Sequence, residues 1–384
     1  MRVGLFTYGM RDRLTGIGRY AHELSYALRD LDPQVELILL TPYPDSPLPW
    51  YRDFPCHPLP TLSRLPAVIA LGSVLLERAA RGLALDVLHD PCGIAPFAAP
   101  RSTVRRVVTI HDAIPFVHPE VQPPLTRLVF HTLVRAARWT SDAVITVSKS
   151  ARTDLLRHTA IAPARLHAIP RGIRLPRDED LAEWRQGFAP VAERHDIAQP
   201  YILYVGACNP RKNVGRLIEA FARVRGRHAR ARLVLVGPDS PLARALRGTS
   251  VWDPTRMRFL EYVDTATLHV LYANAAAVAV PSLYEGFGLP VLEAMAHGAP
   301  VVASDRSSLP EVLGDCGLLI DPMDTAALAS ALDRILADKE RAATLARLGR
   351  ERAQGFTRGA EAAATLAVYR EVCARGAASA PRAG

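Results

Sequence analysis

Two glutamates eight positions apart, Glu285 and Glu293, flank a glycine-bearing turn in the second half of the chain. An apolar run at residues 276–280, typical of a buried strand, precedes the turn, and an apolar stretch at 290–296, typical of a helix, follows it. A strand, a glycine turn and a helix N-terminus together favour phosphate binding, because backbone N–H groups and the positive end of the helix dipole point at one place. The candidate ligand-binding residues of this turn are Gly286, Phe287, Gly288 and Leu289.

The two carboxylates suggest what else the ligand carries. A phosphate repels a carboxylate, so Glu285 and Glu293 are expected to bind another part of the ligand. Carboxylate oxygens accept hydrogen bonds from sugar hydroxyls. The pattern therefore predicts a phosphorylated ligand rich in hydroxyl groups, such as a nucleotide sugar. A glycine turn with incidental acidic residues is the alternative.

A pair of cations, Arg211 and Lys212, follows a second predicted strand at 201–205 and Gly206, which is a further candidate ligand-binding residue. Both cations precede a predicted helix, so they are expected on a turn at the carboxyl edge of a sheet. When a nucleoside diphosphate departs from a sugar, its β-phosphate gains negative charge, and nearby cations stabilise that charge. A solvated basic turn is the alternative interpretation.

Two further strand ends carry candidate residues. His111 follows a predicted strand at 107–110, where its ring could hydrogen-bond a hydroxyl or a phosphate oxygen. Gly16 and Gly18 follow the first predicted strand, where glycine allows a ligand to approach the backbone closely. The last glycine and the acidic residue of a dinucleotide site are missing, so NAD binding is disfavoured. A structural histidine and a plain strand–helix turn are the alternatives.

Two weaker signals complete the set. A loop at Tyr262 and Val263 precedes a predicted helix, and its backbone could read the edge of a base. A segment at 304–312 follows a predicted strand and is expected either to close over the same site or simply to begin a helix at Pro310.

The composition limits the class of protein. A chain of 384 residues is long enough for two domains. The net charge of +9 favours anionic small molecules or an anionic membrane surface, whereas no Lys-rich run supports nucleic-acid binding. Five scattered cysteines give no metal-ligand spacing, and no leader or membrane-spanning stretch is recognisable. We therefore expect a cytoplasmic protein without a bound metal, and contact with the inner face of the membrane stays open.

Short apolar runs alternate with amphipathic stretches, which predicts parallel α/β sheets. The expected fold class is α/β, with two Rossmann-like domains that face each other across a deep cleft. The predicted domains are residues 1–180 and 181–372, with a polar linker near 177–198, a disordered tail at 373–384, and a last helix that could pack back on the first domain. The predicted strands lie at 3–7, 35–40, 87–89, 107–110, 143–147, 166–169, 201–205, 233–236, 257–259, 276–280, 301–303 and 317–320.

Taken together, these segments resemble glycosyltransferase family 4, the retaining GT-B transferases, over residues 1 to about 372. The resemblance implies that Glu285 binds sugar hydroxyls near the anomeric centre and that Glu293 binds the ribose. It implies that Arg211 and Lys212 neutralise the diphosphate and that His111 contacts the donor sugar or the phosphate. The family's remaining contacts match Gly16 and Gly18, for the phosphates, and the backbone near Tyr262 and Val263, for the base.

The resemblance also implies a substrate class and a mechanism. Arg211 and Lys212 are adjacent here but several residues apart in many members, and the adjacent form favours GDP-mannose as donor, with UDP-sugars still open. The family reacts on one face of the sugar through an oxocarbenium-like ion pair, and it needs neither a metal nor another cofactor. The acceptor is expected to be a glycan or a lipid-linked molecule.

An apolar helix predicted at 65–81 and several basic residues could contact a membrane or a lipid-linked acceptor. A core helix and a solvated face are the alternatives. The basic residues are Arg105, Arg106, Arg127, Arg135 and Arg138. Two other functions remain as rivals at this point, a nucleotide-sugar 2-epimerase and a non-catalytic subunit that binds a nucleotide sugar.

Overall fold

The computed structural model describes residues 1–12, 14, 16–94, 104–121 and 124–379. The chain forms two compact units. The first contains Met1–Gly172 together with the C-terminal segment that begins at Arg358, and the second contains Ile173–Thr357.

The strands of the described residues are numbered in chain order. They are β1 (Arg2–Phe6), β2 (Glu36–Thr41), β3 (Cys56–Pro58), β4 (Val87–Asp90), β5 (Arg105–Ile110), β6 (Ala143–Thr146), β7 (Leu166–Ala168), β8 (Tyr201–Val205), β9 (Arg232–Val236), β10 (Met257–Leu260), β11 (Ala277–Val280), β12 (Val301–Ser304) and β13 (Leu318–Ile320).

The helices of the described residues are numbered in the same way. They are α1 (Gly16–Leu31), α2 (Trp50–Asp53), α3 (Leu65–Gly82), α4 (Ile114–Val117), α5 (Pro124–Thr140), α6 (Lys149–His158), α7 (Asp178–Gln186), α8 (Phe188–His195), α9 (Val214–Val224), α10 (Pro241–Arg247), α11 (Thr265–Asn274), α12 (Leu289–Ala296), α13 (Leu309–Leu313), α14 (Thr325–Ala337), α15 (Lys339–Ala353) and α16 (Arg358–Ser379). Short 3-10 helices occur at Pro60–Ser63, Pro119–Val121, Pro163–Arg165 and Pro210–Lys212.

The first unit is built on a parallel sheet in the order β3-β2-β1-β4-β5-β6-β7. Both faces of this sheet are buried. The consecutive residues Val107 and Val108 of β5 belong to different core clusters, as expected where successive side chains point to opposite faces. Helices α1 and α16 contribute to one cluster, and α3, α5 and α6 contribute to the other. Burial on both faces explains why these strands are continuous apolar runs.

The second unit has a parallel sheet in the order β10-β9-β8-β11-β12-β13. The order reverses between β8 and β11, which are neighbours in the sheet although they are distant in sequence. In open parallel sheets a ligand binds beyond the carboxyl ends of the strands at such a reversal. A ligand is therefore expected to bind at the loops after β8 and β11.

The predicted linker at 177–198 is wrong, because this segment forms α7 and α8 within the second unit. Leu181 is buried, and the ring of Trp184 stacks on the ring of His269 with 4.3 Å between the ring centroids. The segment is mostly polar because its helices pack through only a few apolar residues, and the polar composition therefore predicts a linker. The chain leaves the first unit after Gly172 rather than at residue 180.

The predicted tail also needs correction. Helix α16 continues to Ser379, so residues 373–379 are helical, and residues 380–384 lie outside the described residues. The helix is held by buried Tyr369 and Val372, which belong to the core of the first unit. Alanine-rich sequence after these anchors favours continuation of the helix.

Candidate active site

The turn that carries the two predicted cations lies just after β8. The 3-10 helix Pro210–Lys212 is capped by Asn209, whose side chain accepts a hydrogen bond from the backbone N–H of Lys212 at 3.1 Å. Asn213 follows in the left-handed conformation, with φ of 58°, and donates from Nδ2 to the carbonyl of Pro281 at 3.1 Å. The turn after β8 is therefore tied to the loop after β11.

That tie brings Glu285 against both cations. Lys212 Nζ lies 2.6 Å from Glu285 Oε1, and Arg211 Nη1 lies 3.2 Å from Glu285 Oε2. The hydroxyl of Ser282 also donates to Oε1, at 2.6 Å. Arg211 also bonds the carbonyl of Tyr284. The residues predicted to be catalytic are His111, Glu285, Arg211 and Lys212, and the last three form one cluster in the second unit.

The cluster carries more positive than negative charge. Burial acts to raise the pKa of Glu285, but Lys212, Arg211 and the hydrogen bonds outweigh burial and hold that pKa below its ordinary value. The carboxylate is therefore ionised at neutral pH. Because two cations share one carboxylate, the cluster keeps a net positive charge that suits an anionic ligand.

Gly206 lies beside this cluster at the end of β8. Its φ of 152° disfavours any residue with a side chain, and a Cβ there would come 3.0 Å from Tyr204 Oη and 3.8 Å from Lys212 Cε. The predicted role of Gly206 in donor binding stays a prediction.

The glycine turn before α12 is held from the side by the loop after β12. Gly288 caps the helix with φ of 103°, and a Cβ there would lie 2.7 Å from Leu309 Cδ2. Ser308 Oγ lies 2.9 Å from the carbonyl oxygen of Glu285 and 2.7 Å from that of Phe287, and Ser307 Oγ accepts from the N–H of Glu285 at 2.8 Å. The segment predicted to close over the site therefore supports this turn.

Glu293 lies in α12, one residue after buried Leu292. Its Oε2 accepts a hydrogen bond of 2.9 Å from the hydroxyl of buried Tyr272 on α11. The predicted base-reading residues, Tyr262 and Val263, lie in the loop between β10 and α11, where the Tyr262 side chain is exposed. Their contact with a base stays a prediction.

The remaining predicted residues lie in the first unit. His111 follows β5 and hydrogen-bonds through Nε2 to the carbonyl of Pro91 at 2.8 Å, while its ring meets that of Tyr20 edge-on at 4.8 Å between centroids. Burial, reinforced by nearby Arg171, lowers the pKa of His111 to about 4 against the opposing effect of the Pro91 hydrogen bond, so the ring is neutral at pH 7. A neutral ring with one nitrogen held can present the other to a ligand.

The two predicted glycines lie in α1 rather than in a loop before it. Gly16 begins the helix and is exposed. Gly18 is buried, and a Cβ there would lie 3.2 Å from Leu14 Cδ2 and 3.5 Å from Met10 Cγ. Close packing therefore accounts for glycine at position 18, and binding of phosphate by either glycine stays a prediction.

Sequence reasoning missed several supporting residues. Ser282, Ser308 and Tyr272 carry hydroxyls with buried or half-buried partners in the site. Serine and tyrosine are common in every kind of environment, so no spacing rule singles them out. The one available signal was the position of Ser282 two residues after β11 and three before Glu285.

Comparison with known proteins supplies the class. Residues 14–177 match the description Glycosyltransferase Family 4, and residues 199–338 match Glycosyl transferases group 1. The MMP alpha-(1->4)-mannosyltransferase of Mycolicibacterium hassiacum is 30% identical over 98% of this chain and 99% of that protein. The O-antigen chain mannosyltransferase B of Escherichia coli is 31% identical over 88% of this chain and 91% of that protein. The chain belongs to glycosyltransferase family 4.

Solved structures agree with that membership at the level of the fold. The sucrose-phosphate synthase of Thermosynechococcus elongatus superimposes with a TM-score of 0.78 at 24% identity, covering 98% of this chain and 100% of that one. The two parallel-sheet units of this glycosyltransferase therefore match the GT-B fold, as predicted. Membership in a transferase family also decides against the 2-epimerase and the non-catalytic subunit as the leading function.

Within the part of the chain that the structure describes, no helix is long and apolar enough to cross a membrane. Within the same residues, no group of three His, Cys, Asp or Glu side chains could hold a metal ion.

Proposed function

We propose that this glycosyltransferase moves a hexose, with mannose favoured, from a nucleoside-diphosphate sugar to a hydroxyl group of a glycan or lipid-linked acceptor. The product would belong to a cell-surface polysaccharide or glycoconjugate. GDP-mannose is the preferred donor, and UDP-sugars are the alternative. The observation that carries the proposal is the cluster in which Lys212 and Arg211 share the single carboxylate of Glu285.

The charge of this cluster fits the leaving group. In the cluster both cations are paired with Glu285, which leaves one positive charge for an anion. As the bond between C1 of the sugar and the diphosphate breaks, the β-phosphate oxygen gains charge that Lys212 and Arg211 would stabilise. No metal is needed for that role in this proposal.

The same cluster supports reaction on one face of the sugar. Ser282 donates to Oε1 of Glu285 and Arg211 donates to Oε2, so both oxygens keep a hydrogen bond when Lys212 turns to the phosphate, and the carboxylate is a poor nucleophile. We therefore propose direct attack by the acceptor hydroxyl from the side that the diphosphate leaves. The acceptor oxygen bonds to C1, its proton passes to an oxygen of the leaving diphosphate, and the anomeric configuration is retained.

Mannose as the transferred sugar rests on similarity. The two curated relatives above are both named as mannosyltransferases. At about 30% identity such likeness supports the reaction class more firmly than the donor, so the donor needs its own test.

A thermal-shift series on the full chain tests the donor. GDP-mannose, GDP, UDP-glucose and UDP are compared at equal concentration, since a ligand that binds only the folded state raises Tm by mass action. At a hundredfold excess over Kd the gain is about 2.7 kcal/mol, which corresponds to several degrees. Shifts with GDP-type ligands alone support the proposal, and shifts with UDP-type ligands alone overturn the donor assignment.

Retention is tested on the product. The enzyme is incubated with GDP-mannose, which carries an α-linked sugar, and a mannose-terminated acceptor, and the new linkage is read by NMR. An α-linked product agrees with the proposal. A β-linked product shows inversion and rules out attack on the leaving-group side.

The first unit offers a surface for a lipid-linked acceptor. Along α5, the residues Leu125, Leu128, Arg135 and Trp139 are exposed at a spacing that places them on one side of the helix. No acidic residue occurs in α5, so two copies of this face would repel each other through Arg135. An apolar and basic face of this kind fits an anionic lipid surface, and we propose that α5 makes the peripheral membrane contact.

One predicted contributor to that surface is wrong. Arg106 is 4% exposed, and its Nη2 lies 2.6 Å from Glu77 Oε2 in a buried ion pair. The alternation of β5 turns this residue toward the core. The helix predicted at 65–81, α3, packs its Val68 and Leu76 into the core but leaves Val74 exposed.

Flotation with vesicles tests the contact. We expect binding to vesicles that contain phosphatidylglycerol, weak binding to pure phosphatidylcholine, and loss of binding in Leu128→Glu. Leu31→Glu introduces the same change at an exposed site on α1 and serves as the matched control. Equal flotation of both variants would refute the role of α5.

A further inference from the structure

Behind Glu293 lies a group of side chains that the proposed function does not use. Tyr272 and His269 belong to α11, His297 follows the last residue of α12, and Trp184 belongs to α7. Tyr272 and His297 are buried, with 1% and 4% of their surfaces exposed. These four side chains lie next to the carboxylate that is predicted to bind the ribose.

One contact reaches the carboxylate itself. The Tyr272 hydroxyl donates to Glu293 Oε2 at 2.9 Å. A hydrogen bond from a buried tyrosine to a carboxylate is stronger than one between neutral groups. It also fixes the position of one of the two carboxylate oxygens.

The other contacts hold the backbone of Glu293. His297 Nδ1 lies 2.7 Å from the carbonyl oxygen of Glu293, and since a carbonyl only accepts, Nδ1 carries the hydrogen. In the neutral ring Nε2 is then an acceptor, and His269 Nδ1, at 2.8 Å, must donate to it. The ring of Trp184 stacks on His269 at 4.3 Å between centroids. The end of α12 is thus held in one arrangement by the two histidines.

We infer that Tyr272 is a positioning residue for donor binding: it holds Glu293 so that the carboxylate meets the two ribose hydroxyls of the nucleotide. The histidine pair keeps the helix end in place behind it. This inference rests on the proposed function and on the ribose-binding role that the family resemblance implies for Glu293. Hydroxyl recognition by a carboxylate depends on direction, so a freely rotating Glu293 would bind the diol less well.

Tyr272→Phe removes the hydroxyl and keeps the ring. The full-length chain is titrated by calorimetry with GDP, UDP and the 2′,3′-dideoxy forms of both. The readout is the ratio of Kd for the dideoxy nucleotide to Kd for the ordinary one, taken for the base that binds better. We expect the wild type to prefer the ordinary nucleotide and Tyr272→Phe to reduce that preference by about five- to tenfold.

Tyr201→Phe is the matched control. It removes another buried tyrosine hydroxyl, one that donates to the carbonyl of Leu271 on the same helix at 2.7 Å without touching Glu293. A purely structural effect of losing a hydroxyl beneath α11 would appear in both variants as lower stability, whereas only Tyr272→Phe should change the ratio.

A double-variant cycle tests whether Tyr272 acts through Glu293. In Glu293→Gln the ratio should already be low, and adding Tyr272→Phe should lower it no further. Independent, additive losses would overturn the positioning role, as would an unchanged ratio in well-folded Tyr272→Phe. A wild type that binds nucleotide without any preference for the ordinary ribose refutes the role of Glu293 and with it this inference. A wild type that binds neither nucleotide refutes the proposed function itself.

Discussion

At the scale of single residues, Lys212 is the side chain on which transfer should depend most. Its ammonium is 2.6 Å from Glu285 and is placed by a capped turn, so it can exchange that carboxylate for a phosphate without moving the backbone. We expect Lys212→Ala to lower the transfer rate by about two to three orders of magnitude, the usual loss when one preorganised charge is removed. Stability should fall by only about 1–3 kcal/mol, because Arg211 and Ser282 still bind Glu285.

Sugar transfer and thermal melting of Lys212→Ala measure the two effects. Lys339→Ala, on exposed α15 of the same unit, is the matched control and should behave as the wild type. Full turnover in a normally melting Lys212→Ala would contradict the assignment.

Substitution of Glu285 should affect nucleotide binding and sugar transfer differently. Because the carboxylate competes with a ligand phosphate for Arg211 and Lys212, Glu285→Gln leaves both cations to the phosphate. We expect the affinity for GDP to be unchanged or higher, while transfer falls about a hundredfold or more because the contact to the reacting sugar is lost. Calorimetry and a transfer assay give the two quantities, with exposed Glu340→Gln as control. If the affinity for GDP and the transfer rate fell by similar factors, Glu285 would act mainly by stabilising the fold.

At the scale of elements, the start of α12 depends on one glycine. Gly288 has φ of 103°, and a Cβ there would lie 2.7 Å from Leu309 Cδ2, so Gly288→Ala meets both backbone strain and a clash. We expect the free energy of unfolding to drop by about 2–4 kcal/mol, measured by urea denaturation. Gly226→Ala, where a Cβ meets open space, should change it by less than about 0.5 kcal/mol. Equal effects at both sites would show that the turn adapts.

The end of the same helix makes stability depend on pH. Burial and nearby His269 lower the pKa of His297 from 6.5 to about 4, although its bond to Glu293 opposes the shift. Between these pH values the unfolded chain binds the proton and the folded chain does not, so the stability contributed by neutral His297 falls as pH drops from about 6.5 to about 4. The loss for this group is at most about 3 kcal/mol. NMR titration of the His297 ring checks it, and an ordinary pKa near 6.5 would contradict the arrangement.

Most of the strands can be predicted from the sequence. The strand predicted at 201–205 is β8 to the residue, and the others lie within about two residues of their observed ends, because strands buried on both faces are uninterrupted apolar runs. Edge strand β3 was missed, since Cys56–Pro58 is short and ends in proline. The polar segment that forms α7 predicts a linker, because this helix packs through only a few buried residues such as Leu181.

The candidate site was predictable in part for a similar reason. Glu285, Arg211 and Lys212 follow neighbouring strands at the reversal of strand order, so their meeting follows from the topology. The support from Tyr272 and Ser308 follows from helix and loop packing, which leaves no periodic trace in the sequence. The sequence therefore does not predict long-range contacts made by single polar residues.

At the scale of the whole molecule, the chain completes its first unit only at its end. Helix α16 returns to the first unit and places Leu366, Val368, Tyr369 and Val372 in its core. Its Glu361 Oε2 also accepts a hydrogen bond of 2.9 Å from the backbone of Gly172. Burial of four such side chains contributes roughly 6–12 kcal/mol, an upper figure that is comparable to the whole stability of an ordinary domain.

Ending the chain after Thr357 should therefore unfold the first unit and spare the second, whose core cluster contains no residue of α16 among those described. Hydrogen exchange followed by mass spectrometry should show rapid exchange throughout residues 1–172 and protection in the sheet of residues 201–320. Ending the chain after Ser379 keeps all of α16 and should leave both patterns as in the full chain. Protection of residues 1–172 in the shorter chain would mean that the first sheet holds its core without the returning helix. The same measurement shows whether the second unit folds on its own, as its core cluster and its six-stranded parallel sheet lead us to expect.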